Sequence, residues 1–115
     1  RHLLESMAAA GGVGERYVAV GGGTKGGLWT QIMSDACKIE QVLPKFAIGA
    51  SYGDALISAQ LVGAADESTS WMQEAAVVKP NPENEGLYTD LFGRYLELYP
   101  ATKDIVHFLA GMQLG

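Results

Sequence analysis

From residue 17 to residue 31 the chain reads Tyr-Val-Ala-Val-Gly-Gly-Gly-Thr-Lys-Gly-Gly-Leu-Trp-Thr-Gln, with glycine at 21, 22, 23, 26 and 27. Glycine lets backbone approach a ligand more closely than any side chain permits. A helix that begins directly after such a loop offers unpaired N–H groups and a positive dipole end to an anion. A β-branched strand aimed into glycines and then a helix is a physical arrangement for holding the phosphates of a nucleotide. The run also satisfies Gly21-x-Gly23-x-x-Gly26, the dinucleotide fingerprint, with Glu40 about twenty residues on as an acid for a ribose. Clustered glycines meet many patterns by accident, so the fingerprint is weak alone. A phosphate loop of the Gly-Lys-Ser/Thr kind is excluded, because Gly26 follows Lys25. A bare connecting turn needs one or two glycines rather than five.

Other reactive residue types are sparse. His2 and His107 stand far apart without companions at metal-ligand spacing, so no metal site is expected in this chain. Cys37 is single and cannot form an internal disulfide, which suits a reducing cytoplasm. Asp54, beside Tyr52 and Gly53, invites reading as a base, but Ser51 three residues earlier makes it the second half of a helix-capping box. Trp29 suits stacking on a base, yet its helical spacing with Ile32 and Met33 favours core packing. Gln31 and Asp35 read as supports for their helix and its neighbours. Tyr88, Tyr95 and Tyr99 read as a packing stripe, and His107 as a partner for the end of the last helix.

The elements that must position these residues follow from periodicity and breakers. A helix is expected over residues 2–10, stopped by Gly11-Gly12, then a short buried strand over 17–20. Helical spacing returns over 26–37, with Leu28, Trp29, Ile32 and Met33 on one face. A strand over 39–43 stops at Pro44. A helix over 51–62 starts from the Ser51–Asp54 box, and 67–71 is loop. A third strand over 74–79 ends at Pro80-Asn81-Pro82, and a helix over 84–98 carries Leu87, Leu91, Tyr95 and Leu98. Pro100 ends that helix and opens a last one through Gly111. The order αβαβαβα describes an α/β domain.

Totals bound the function. The 115 residues make one domain at most, with 48% hydrophobic and 18% charged residues, ordinary for a globular protein. A net charge of −5 argues against a nucleic-acid or anionic-membrane surface. No 18-residue apolar stretch is present and the opening residues are unlike a signal peptide. The chain opens inside an apparent helix without Met, so a piece of a longer protein is expected.

Three motifs in order give the chain a family likeness. Gly21-Gly22-Gly23-Thr24-Lys25 is followed by Leu28-Trp29-x-Gln31-Ile32-x-x-Asp35, and then by Gly49-Ala50-Ser51-Tyr52-Gly53-Asp54-Ala55-Leu56. With the tail Tyr88-x-x-Leu91-x-x-x-Tyr95-x-x-Leu98-Tyr99-Pro100-Ala101-Thr102-Lys103-Asp104, this resembles the C-terminal lobe of FGGY-type carbohydrate kinases. The resemblance implies an actin-like ATPase (ribonuclease H-like) lobe fragment spanning 1–115, a small sheet flanked by helices. It implies transfer of the ATP γ-phosphoryl group to a sugar, ketose or polyol hydroxyl. ATP would bind here through Gly21, Gly22, Gly23, Thr24, Lys25 and Gly26. Mg²⁺, most of the sugar site and the catalytic aspartate would belong to the other lobe. Gly26 falls where relatives often place Asn or Ser near the adenine, and Gly27 replaces a common Pro. No residue here is expected to be catalytic. The implied partners are ATP or ADP and, through the other lobe, a sugar, with neither nucleic acid nor membrane. Apolar surface left by a missing lobe predicts self-association, as a homodimer or larger. An NAD-binding module of an oxidoreductase, and a non-catalytic interaction domain with a structural glycine loop, stay open as alternatives.

Overall fold

A computed structural model describes residues 1–12, 14–46 and 49–113. Helix α1 (His2–Ala9) is followed by β1 (Tyr17–Val18), a 3-10 turn (Gly22–Lys25), α2 (Gly27–Cys37) and β2 (Gln41–Pro44). Then come α3 (Ala50–Leu61), β3 (Glu74–Val78), a second 3-10 turn (Pro82–Asn84) and α4 (Glu85–Gln113). The sheet order is β1-β2-β3. β1 and β2 run parallel, Tyr17 opposite Gln41 and Val18 opposite Val42, with α2 as the crossover that parallel pairing requires. β3 returns antiparallel to β2, Val77 opposite Val42, with an irregularity between Leu43 and Pro44. The α/β expectation therefore holds, with one antiparallel edge.

The Gly11-Gly12 and Pro80-Asn81-Pro82 signals set boundaries as expected, whereas Pro44 is the last residue of β2 rather than the residue that stops it. α1 stops where Gly11 turns to φ 84, and the Gly12 N–H donates back to the Met7 carbonyl at 2.8 Å. Asn81 caps the Pro82–Asn84 turn by accepting the Glu83 N–H at 3.0 Å.

Four expectations are corrected. β1 is two residues long rather than four, and Val18 and Val20 are exposed rather than buried. α3 begins one residue early with Gly49 as its cap and no side-chain cap bond, so the Ser51–Asp54 box does not form: Ser51 already lies inside the helix. Pro100 does not end a helix; α4 runs through it. A proline there removes one N–H and orphans the Leu96 carbonyl, which this exposed part of the helix can leave to water. His107 lies six residues before the end of α4 and its Nε2 stands 3.5 Å from the Tyr99 hydroxyl, so it partners a tyrosine rather than the helix terminus.

The interior is small and polar. Among the described residues Val42 is the one hydrophobic side chain that is buried, while Thr30, Ser34, Asp35 and Gln41 are buried polar residues. The radius of gyration is 19.4 Å, against about 13 Å for a compact domain of this length. Neither α3 nor α4 buries a residue fully. Tyr95 and Tyr99 are more than half exposed, so the tyrosine stripe is largely uncovered. Among the described residues no helix is long and apolar enough to cross a membrane.

Candidate functional site

β1 delivers the chain through Ala19, whose N–H still donates to the Val42 carbonyl at 3.0 Å, into the glycines. Gly21 takes φ 94 and ψ −177, a backbone region essentially reserved to glycine. Its carbonyl then receives two bonds from Thr24, from the backbone N–H at 3.2 Å and from Oγ1 at 2.8 Å. These bonds close the 3-10 turn. Gly26 is extended and stands as the cap of α2 without a side-chain bond, so no side chain takes up the first N–H groups of that helix. The six expected site residues, Gly21 to Gly26, thus form one continuous turn at the carboxyl end of β1. That is the end of a parallel strand at which α/β sheets bind ligands.

A Cβ built at Gly21, Gly22, Gly26 or Gly27 would meet nothing within 4 Å. The outer face of the turn is open. Lys25 is exposed, and Thr24 spends its hydroxyl on the turn. Gly23 differs: a Cβ there would stand 3.0 Å from Trp29 Cδ1 and 3.2 Å from its Nε1. The core role expected of Trp29 is corrected, because its side chain is 58% exposed and leans on the loop. Between β1 and α2 lies an open hollow of about 210 Å³, with Val20, Gly23, Thr24, Trp29, Met33 and Gln41 in its lining.

Behind the loop, α2 is held by its polar face. Asp35 Oδ1 accepts the Gln31 amide and the Asn81 N–H, each at 2.7 Å, and Oδ2 accepts the Asn84 amide at 2.7 Å. Burial pushes the Asp35 carboxyl up, but these three donors outweigh it and hold the group below its ordinary value. Gln31 also donates to the Lys79 carbonyl at 2.9 Å, and Ser34 to the Val78 carbonyl at 3.1 Å. Gln41 Nε2 donates to the Thr30 carbonyl at 2.9 Å and to Ser34 Oγ at 2.8 Å. The supporting role read for Gln31 and Asp35 is what the structure has. Gln41, Asn81 and Asn84 were not singled out by sequence, although an Asn on either side of Pro82 just before a helix is a capping signal.

Glu40 is at the wrong place for a dinucleotide. It precedes β2, at the amino end of the sheet, and pairs with Lys79 at 3.2 Å. A ribose acid serving a loop at the carboxyl end of β1 has to lie at the carboxyl end of its neighbour. Asp54 sits within α3, and among the described residues no group of three or more His, Cys, Asp or Glu side chains could hold a metal.

No family model matches the chain. It is 29% identical over 92 residues to the autoinducer-2 kinase of Klebsiella pneumoniae, covering 74% of this chain and 17% of that protein. To the xylulose kinase of Staphylococcus epidermidis it is 27% identical over 106 residues, covering 89% of this chain and 21% of that protein. The solved xylulose kinase of Rhodospirillum rubrum superposes with a TM-score of 0.75 at 22% identity, covering 92% of this chain and 22% of that one. The chain thus spans about a fifth of the length of the curated relatives it matches. The likeness to FGGY-type carbohydrate kinases, read from three motifs, holds both in sequence and in fold.

Proposed function

We propose that this chain is the nucleotide-binding part of a carbohydrate kinase, equivalent to the C-terminal lobe of an actin-like, two-lobed enzyme. The observation that carries the reading is the turn Gly21 to Gly26, bare and open at the carboxyl end of β1, which leads into an uncapped helix. Its free N–H groups and the dipole of α2 suit the phosphates of ATP or ADP. Magnesium would travel with those phosphates and take its protein ligands from the rest of the enzyme. A carboxylate there would accept the proton of the sugar hydroxyl as the γ-phosphoryl group moves. The share of this chain is positional: it fixes the adenosine end so that closure brings the γ-phosphate in line. By itself the chain is inactive, and no residue in it is catalytic. The sugar meets mainly the remainder of the enzyme, and a lone Cys37 suits a cytoplasmic setting.

The experiment is calorimetric titration of the chain with ADP, with NAD as control. A Cβ at 22 would meet nothing within 4 Å, so Gly22→Val extends from an open face of the turn into the space assigned to phosphate. ADP binding that Gly22→Val abolishes supports the reading; equal binding by both proteins, or preference for NAD, refutes it. The exposed apolar residues of α3 and α4 also support self-association. Light scattering should find dimers or larger species, and a monomer at high concentration would contradict that part.

A further inference from the structure

The glycines of the loop are there for different reasons. Four of them face open space, whereas Gly23 has an indole where its side chain would stand. We propose that Trp29 is a positioning residue for the nucleotide loop, its indole edge acting as the strut that sets the height of Gly22–Lys25 above α2. The ligand half of this statement rests on the nucleotide reading; the contact between Gly23 and Trp29 does not.

Three observations converge on it. The bonds that close the turn are internal, Thr24 to Gly21, and do not tie the turn to α2. Trp29 reaches across that gap from the first turn of α2. Its backbone is held by its neighbour Thr30, which is 2% exposed, donates through Oγ1 to the Gly27 carbonyl at 3.0 Å, and receives Gln41 on its own carbonyl. With its backbone held, a tryptophan has only two side-chain torsions left to set, and the contact with Gly23 is what sets them in this proposal. The open face of the turn is therefore available to a nucleoside diphosphate while the closed face bears on the indole. Pressure on one is felt by the other.

The first test needs no ligand. Replacing Trp71 with Phe leaves Trp29 as the one tryptophan of the two in the chain. In that background Gly23→Ala should shift the emission of Trp29, because the added methyl displaces the indole, whereas Gly22→Ala should not. A shift with both, or with neither, overturns the strut. The second test is ADP affinity in four proteins. Trp29→Leu should weaken binding about tenfold, Trp29→Phe should retain most of it, and Gly23→Ala should lose at least as much as Trp29→Leu. The double variant, Gly23→Ala with Trp29→Leu, should bind no worse than Trp29→Leu alone, since removing the indole vacates the space. Losses that add would show that Gly23 serves the ligand directly and would refute the proposal. ADP should also change the Trp29 emission of the parent, and a silent indole at saturation counts against it. If no protein in the series binds ADP, the nucleotide reading fails, and the emission comparison alone decides the contact.

Discussion

The region around α2 and the region formed by α3 with the far half of α4 use their residues in opposite ways. α2 leaves Leu28 and Trp29 outside, 76% and 58% exposed, and buries Thr30, Ser34 and Asp35 against β2, β3 and the start of α4. α3 and the last turns of α4 bury nothing fully: Leu61, Ile105, Phe108 and Met112 are all more than 60% exposed. The first region is held by directional hydrogen bonds that need no large core. The second carries large apolar side chains that stand mostly exposed among the described residues. The hydrogen-bonded packing is thus concentrated behind the glycine loop, where the proposed nucleotide site would need support, and the exposed helices are where the proposed association would occur.

The largest blow to the first region is Asp35→Asn. An amide has one acceptor where the carboxylate uses two, and it turns a donor towards donors. The loss should be about 3 kcal/mol by urea unfolding; a change below half of that would show that the network is not what holds α2. The same group gives a pH test with a defined sign. Its folded value is lowered, so its contribution is present above the unfolded carboxylate value, about pH 4, and is lost as pH falls below it. Acid titration of stability should be flatter in Asp35→Asn than in the parent over that window. An identical slope would remove Asp35 from the acid response.

For the second region the expectation reverses. Leu98→Glu together with Ile105→Glu should change unfolding stability by no more than about 0.5 kcal/mol, yet should reduce the particle size seen by light scattering. A large loss of stability would place those side chains inside a core rather than on a bare face. The smallest effect is at the end of α2. Lys38 caps that helix at φ 57, and its ammonium pairs with Glu85 at 2.8 Å. Lys38→Gly removes about 1 kcal/mol of left-handed strain and loses an exposed ion pair of smaller worth, so a slight rise in midpoint is expected by thermal unfolding.

The turn that forms the candidate site was legible in the sequence because glycine acts locally. The run from Gly21 to Gly27 needs no distant partner to mark a bare turn, and the helix after it follows from spacing. The roles of Gln31 and Asp35 were also within reach. The buried face of α2 was not, because hydrophobic periodicity assigns Leu28, Trp29, Ile32 and Met33 to the interior. That rule presumes enough apolar cover on the other side, and here the cover consists of Gln41, Asn81, Asn84 and the carbonyls of Val78 and Lys79. Pro100 misled for a related reason. A proline weakens a helix by its missing N–H and by the clash of its ring with the carbonyl four residues back without obliging the helix to stop, and on an exposed helix solvent can pair the orphaned carbonyl. Glu40 failed as a ribose acid because sequence distance does not say at which end of a strand a residue falls.

Gly21 has one more consequence, concerning handedness. Its φ of 94 and ψ of −177 are the mirror image of ordinary extended backbone. An L-alanine at that point strains the bend, while its D enantiomer adopts the same bend at rest. Chemical synthesis with D-alanine at 21 should therefore keep the path of the loop and raise the unfolding free energy by up to about 1 kcal/mol, by removing freedom from the unfolded chain. The entrance to the candidate site is a place where the chain is built with the opposite chirality in all but its atoms.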